Sequence, residues 1–143
     1  MKPIKSFVLL AIMLTVGFVA KADNDRVITF QELPQQSKEL VKAHFGNKVP
    51  MIVTADWDDY EIYFESGEKI EFRKDGTWKS IESYTNGVPA VLVPEKIKDA
   101  VKKSYPATTI IKIEQDRRGY EVKLNNGMEI EFNSLFQVIG FDD

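Results

Sequence analysis

Apolar positions along this chain follow two periods that alternate in blocks. The stripe Leu33, Ser37, Leu40, Val41, His44 has helical spacing with one apolar face, and Val93, Ile97, Ala100, Val101, Ser104 has the same spacing. Pro34 and Pro94 stand where each helix would begin, a first-turn position that proline tolerates. Phe45-Gly46 and Tyr105-Pro106 are stop signals. Each helical block gives way to alternating, β-branched stretches at 51–56 and 110–115. The polar turns Trp57-Asp58-Asp59 and Arg117-Arg118-Gly119 lead into strands at 60–64 and 120–124. Glu65-Ser66-Gly67 and Asn125-Asn126-Gly127 are hairpin signals before strands at 69–73 and 129–133. Asp75-Gly76 turns into a fourth strand at 78–83. At the matching place Ser134-Leu135-Phe136 replaces that turn, before a strand at 137–141.

These blocks match one another when the chain is shifted by 60 residues without a gap. Pro34 falls on Pro94, Asp56 on Asp116, Tyr60-Glu61 on Tyr120-Glu121, Gly67 on Gly127, and Ile70-Glu71-Phe72 on Ile130-Glu131-Phe132. The pattern therefore predicts an α+β fold: a tandem repeat of one helix plus a four-stranded antiparallel meander, with helices on one face of a curved sheet. The two sheets would either join edge to edge or pack side by side. The expected organisation is a leader at 1–22, one unit at 23–86 and a second at 87–143, forming one compact body.

Alternation also assigns the strand faces. Tyr60, Ile62, Phe64, Ile70 and Phe72 point one way, towards the helices, and Trp78 reads as core. Glu61, Tyr63, Lys69, Glu71 and Arg73 point the other way, matched by Glu121, Lys123, Glu129 and Glu131. That second face is expected to be open to water or to a partner.

The N-terminus changes where such a protein would work. Lys2 and Lys5 precede an apolar run from Phe7 to Ala20, and Ala20-Lys21-Ala22 precedes the polar Asp23-Asn24-Asp25. Positive start, apolar centre and small residues before the polar boundary describe a secretory signal, cut after Ala22. The run is shorter than the ~20 residues that span a bilayer. A periplasmic location is expected, with no membrane insertion after cleavage. The leader holds three lysines and no acid, so the remainder is more acidic than the whole chain's net charge of −3. Such a surface disfavours nucleic acid as a partner.

Candidate chemistry narrows the picture further. The chain has no cysteine and a single histidine, His44, so Cys-His pairs and ordinary zinc sites are excluded. No Gly-rich phosphate loop is present. Carboxylates are plentiful, but they fall on an outward strand face with no evident pocket to raise a pKa. The reading is therefore no enzyme and no cofactor. The loop Asp56-Trp57-Asp58-Asp59 gathers three carboxylates, an oxygen set that calcium takes. It lacks the length, central Gly and closing Glu of an EF-hand. Calcium or a small ligand held by Asp56, Asp58 and Asp59 is the alternative function.

Leu33-Pro34 before a helix, Tyr60-Glu61-Ile62-Tyr63-Phe64, Ile70-Glu71-Phe72 and Asp75-Gly76-Thr77-Trp78 resemble the PepSY-like, β-lactamase-inhibitor-like periplasmic proteins of Bacteroides-type bacteria. The resemblance covers residues 27–143. It implies two PepSY-type units forming one curved sheet, and similarity to an inhibitor that grips an enzyme with its open, concave sheet face. The function expected is a non-enzymatic periplasmic binding or inhibitory module that contacts another protein through the open sheet face, with Trp57, Tyr63, Glu61, Arg73 and Lys123 as contact residues. Exposed aromatics on a rigid sheet are the usual anchors of such contacts.

Overall fold

The computed structural model describes residues 25–143, and the expected signal peptide at 1–22 lies outside the described residues. The described chain runs β1 (Arg26–Ile28), α1 (Gln35–Phe45), β2 (Pro50–Ala55), β3 (Asp59–Phe64), β4 (Lys69–Arg73), β5 (Trp78–Glu82), α2 (Glu95–Ser104), β6 (Ile110–Gln115), β7 (Gly119–Leu124), β8 (Glu129–Asn133) and β9 (Val138–Asp142). A single 3-10 turn precedes each helix, at Phe30–Glu32 and Ala90–Leu92.

The strands form one nine-stranded antiparallel sheet in strict sequence order, β1 to β9. This corrects the α+β expectation of a helix plus four-stranded meander in tandem. The molecule is sheet-dominated, with two α-helices among the described residues, and no four-stranded unit stands apart as its own sheet. Two pairings account for the difference. Ser80, Ile81 and Glu82 of β5 pair with Glu114, Ile113 and Lys112 of β6, which satisfies backbone groups that a separate meander would leave bare at its edge. Arg26, Val27 and Ile28 of β1 add a ninth strand against Ala55, Thr54 and Val53. That strand is too short for alternation to reveal.

One core lies between the sheet and both helices. Ile62, Phe64, Ile70, Phe72, Ile81 and Ile113 are almost wholly buried on the sheet side. Val41 and Phe45 of α1 and Ile97 and Val101 of α2 belong to the same cluster. Phe45 stacks on Phe64 with ring centroids 5.4 Å apart. Ser37, fully buried on the apolar stripe of α1, donates from Oγ to the Gly76 carbonyl at 3.0 Å. This bond ties the helix to the β4–β5 turn and meets the need of a buried hydroxyl for a partner. Gly76 itself has φ +94, and a Cβ there would lie 3.0 Å from Pro34 Cβ. Glycine is thus required both by the turn and by the close approach of the helix. Trp78 packs partly buried against this core.

Candidate site on the open sheet face

With both helices on one face, the other face of the sheet is set by cross-strand pairing. Register places glutamates in line. Glu61 stands opposite Glu71, Glu71 opposite Ser80, and Ser80 opposite Glu114. Glu114 then stands opposite Glu121, and Glu121 opposite Glu131. Directly opposed like charges on a sheet repel, by roughly 0.2–1 kcal/mol a pair. A parallel row of mixed sign runs beside it. Tyr63 faces Lys69, Lys69 faces Glu82, Glu82 faces Lys112, Lys112 faces Lys123, and Lys123 faces Glu129.

Ion pairs between the rows neutralise one half better than the other. Lys69 reaches Glu71 at 3.3 Å, and Lys112 reaches Glu114 at 2.8 Å and Glu82 at 3.2 Å. Burial alone would lower the Lys112 pKa, but hydrogen bonds and charge from Glu114 and Glu82 override it and hold the ammonium above its ordinary value. Glu121 shifts in the unfavourable direction. Burial, then the charges of Glu114, Glu129 and Glu131, push its carboxyl above the usual range, with Lys112 only partly opposing them. Glu121 and Glu131 make no ion pair among the described residues.

A groove of about 480 Å³ opens along this face, lined among others by Glu71, Ser80, Glu114, Glu121 and Glu131. Two β-bulges shape its wall. They leave Lys79 unpaired between Ser80 and Trp78, and Ile139 unpaired between Gly140 and Val138. Lys79 reaches across to Asp59 at 3.0 Å.

The residues singled out from the sequence fall in different places. Tyr63 and Glu61 share the open face. The Tyr63 hydroxyl donates to Glu61 Oε2 at 2.7 Å, and Lys69 Nζ lies 5.3 Å from the ring centroid. Burial and then Glu61 raise the Tyr63 pKa, so its hydroxyl stays protonated. Trp57 sits at the tip of the β2–β3 turn and is 77% exposed. Lys123 lies half-buried in the mixed row. Arg73 ends β4 and is committed to backbone. Its guanidinium donates to the Trp78 carbonyl at 2.9 Å and to the Gln115 carbonyl, fastening β5 to β6.

The acidic loop is likewise occupied by its own chain. Asp56 Oδ1 accepts the Asp58 and Asp59 backbone N–H groups at 2.7 and 2.6 Å. Burial would raise the Asp56 pKa, but these bonds from Asp59 and Asp58 outweigh it and keep the carboxylate ionised. Asp116 closes the β6–β7 turn in the same way, accepting from Arg118 and Gly119. Among the described residues no three acidic or histidine side chains converge as a metal site. His44 lies half-buried on α1, in the helix layer on the other side of the sheet.

Sequence reasoning assigned Glu121 and Glu131 to this face but did not see them as one row with Glu114 across Ser80. The signal was present only in part. Alternation gives the face, but the β5–β6 register that joins the two halves of the row is non-local.

A helix-backed antiparallel sheet with one uncovered, charged face is the class of protein that fold and site define. The family described as "Putative beta-lactamase-inhibitor-like, PepSY-like" matches residues 58–140, and the chain belongs to it. Three solved structures from Bacteroides are similar. One, from Bacteroides vulgatus and described as a "putative periplasmic protein", is 39% identical. It aligns over 85% of this chain and 99% of that one, with a TM-score of 0.81. A second, from Bacteroides thetaiotaomicron and described as a "putative calcium-regulated periplasmic protein", is 33% identical. It has the same two coverages and a TM-score of 0.83. A third, also a "putative periplasmic protein" from Bacteroides vulgatus, is 27% identical over 83% of this chain and 99% of that one, with a TM-score of 0.80. No curated protein matches the chain. Among the described residues no helix is long and apolar enough to cross a membrane.

Proposed function

We propose that the chain is a non-catalytic periplasmic binding module that holds another protein, as an inhibitor, against the open face of its sheet. The observation that carries this reading is the asymmetry of the sheet. One face is sealed by α1 and α2, while among the described residues no element covers the other, which presents Tyr63 and a charged groove on a hydrogen-bonded frame. A frame already ordered before binding loses little entropy on association. Trp57 at the strand tip adds an exposed aromatic anchor of the kind that dominates contact energies. The family description and the periplasmic relatives support both the binding role and the compartment. The inhibitor-like family description supports a role without catalysis.

Capture of binding proteins from a periplasmic extract tests the reading, run with the wild-type chain and with Trp57→Ala/Tyr63→Ala. Loss of the captured protein in the double variant supports the open face. Undiminished capture counts against it. N-terminal sequencing of the exported chain checks the compartment: a start at Asp23 is expected, and an intact Met1 in a membrane fraction contradicts it.

A second reading is calcium binding at Asp56, Asp58 and Asp59, prompted by this oxygen-rich loop and by one neighbour described as "calcium-regulated". Asp56 Oδ1 would have to release two backbone N–H groups, and Asp59 would have to release Lys79. Calorimetric titration decides it. Heat at millimolar calcium that disappears in Asp58→Asn supports the reading, and absence of heat removes it.

A further inference from the structure

Ser80 marks the centre of the glutamate row. It is 5% exposed, yet its hydroxyl forms no hydrogen bond with any described residue. It is not sealed in the core, because it lines the groove and, among the described residues, no fully enclosed side-chain polar atom lacks a partner. The hydroxyl therefore faces the groove and is bonded to no described protein group.

Charge around it is unbalanced. Five carboxylates line the groove against two basic groups, Lys79 and Arg118. Both are taken already, Lys79 by Asp59 at 3.0 Å and Arg118 by Asp116 at 3.4 Å. Glu71 and Glu114 have lysine partners, whereas Glu121 and Glu131 have none among the described residues. A cation with several N–H donors, placed between Ser80 Oγ and the Glu121–Glu131 end, would balance this charge and bond the hydroxyl. A bare divalent ion suits the place poorly, because the carboxylates are spread along a row and no three converge. A primary ammonium or guanidinium, with donors splayed in several directions, suits a row. The volume of about 480 Å³ admits a side chain and its flanking backbone, not a folded domain.

We propose that this groove, with Ser80 near one end and Glu114, Glu121 and Glu131 along its wall, receives a lysine or arginine side chain projecting from the protein held on the open face. The proposal rests on the open face being the binding surface, and it adds the chemistry of the partner's central contact.

The test is an NMR titration of the ¹⁵N-labelled chain with a blocked pentapeptide carrying two lysines, beside the same peptide with norleucine in their place. The lysine peptide is expected to move the amide signals of Ser80, Glu114, Glu121 and Glu131, and the norleucine peptide to leave them in place. Glu121→Gln/Glu131→Gln should weaken the lysine peptide about tenfold, while Glu39→Gln on α1 leaves it unchanged. Core amide signals unmoved in the double variant establish that it folds. Equal shifts from both peptides, or undiminished binding by the double variant, overturn the proposal. So does saturation of the same signals by calcium or spermidine more tightly than by the peptide. The two readings fail separately. A protein captured through Tyr63 whose binding ignores Glu121→Gln/Glu131→Gln overturns the groove contact alone. Capture indifferent to every open-face substitution overturns both.

Discussion

β5 and β9 occupy matching places in the two halves of the sheet and have opposite fates. Each follows a hairpin turn and pairs with the strand before it through the same register, Ile70 with Ile81 and Ile130 with Phe141. Ile81 is fully buried and Phe141 is 58% exposed. The local pairing is the same, so the difference comes from what lies on the far side. β5 has β6 beyond it, and β9 is the sheet edge. Burial in this molecule is decided by sheet position as much as by the apolar pattern of a strand.

The turns leading into those strands differ too. Gly76 takes φ +94 beneath α1, whereas Phe136 takes φ +64 and stacks on Tyr120 at 5.4 Å. A non-glycine residue in this region costs of order 1 kcal/mol, and an aromatic pair returns about as much. The second hairpin thus keeps its turn without Asp-Gly by anchoring the strained residue to a ring.

The largest effect is expected where one half cannot accept the other's residue. Gly119 matches Asp59 in the first half. A Cβ at Gly119 would lie 2.0 Å from the Phe132 carbonyl oxygen, and its φ is +150. Gly119→Asp should destabilise by more than about 3 kcal/mol, and the reverse change Asp59→Gly, which loses the Lys79 pair, by about 1 kcal/mol. Urea unfolding of the two variants measures both. Equal losses would break the contrast.

Next comes the strand comparison. Ile81→Ala should cost about 2–5 kcal/mol and Phe141→Ala less than about 1 kcal/mol, although the second removes the larger side chain. A cost at Phe141 as large as at Ile81 would mean the edge is covered in solution. The helix contacts give a smaller difference. Ser37→Ala should cost about 1–2 kcal/mol, because the Gly76 carbonyl loses its donor. The matching residue on α2 is Ile97, which contributes by packing alone.

The smallest effect has a sign fixed by pH. The Glu121 carboxyl is raised, so the folded chain binds its proton more tightly than the unfolded one. Its stabilising contribution is complete in acid, below the unfolded carboxyl range, and is lost as pH rises through the folded pKa. Glu121→Gln should therefore stabilise the protein near neutrality by roughly 0.2–1 kcal/mol, and the gain should vanish in acid. Thermal melts across the pH range check it. A loss of stability near neutrality would contradict the glutamate row.

What the sequence made legible was local. Proline starts, hairpin glycines and alternation located both helices and the strands from β2 to β9 within a residue or two, because each depends on neighbours along the chain. The apolar pattern left the joining of the two halves open between edge-to-edge and side-by-side, and only the resemblance implied the one sheet observed. β5 meets β6 only after α2 has intervened, and nothing within either strand selects that partner. The bulges at Lys79 and Ile139 were hidden for the same reason, since an extra residue shows only against the strand it fails to pair with. At the site, alternation gave Glu61, Tyr63 and Lys123 their face. The bonds that commit Arg73 to two carbonyls, and the place of Ser80 between Glu71 and Glu114, needed the assembled sheet.

The proposed function requires that another protein binds the open face. Photo-cross-linking in intact cells addresses it directly, with a benzophenone side chain at Tyr63 or Glu121 on that face and at Glu39 or Lys102 on the helices. The prediction is a covalent adduct with the same second protein from both sheet positions and none from the helices. Adducts only from Glu39 and Lys102 would contradict it.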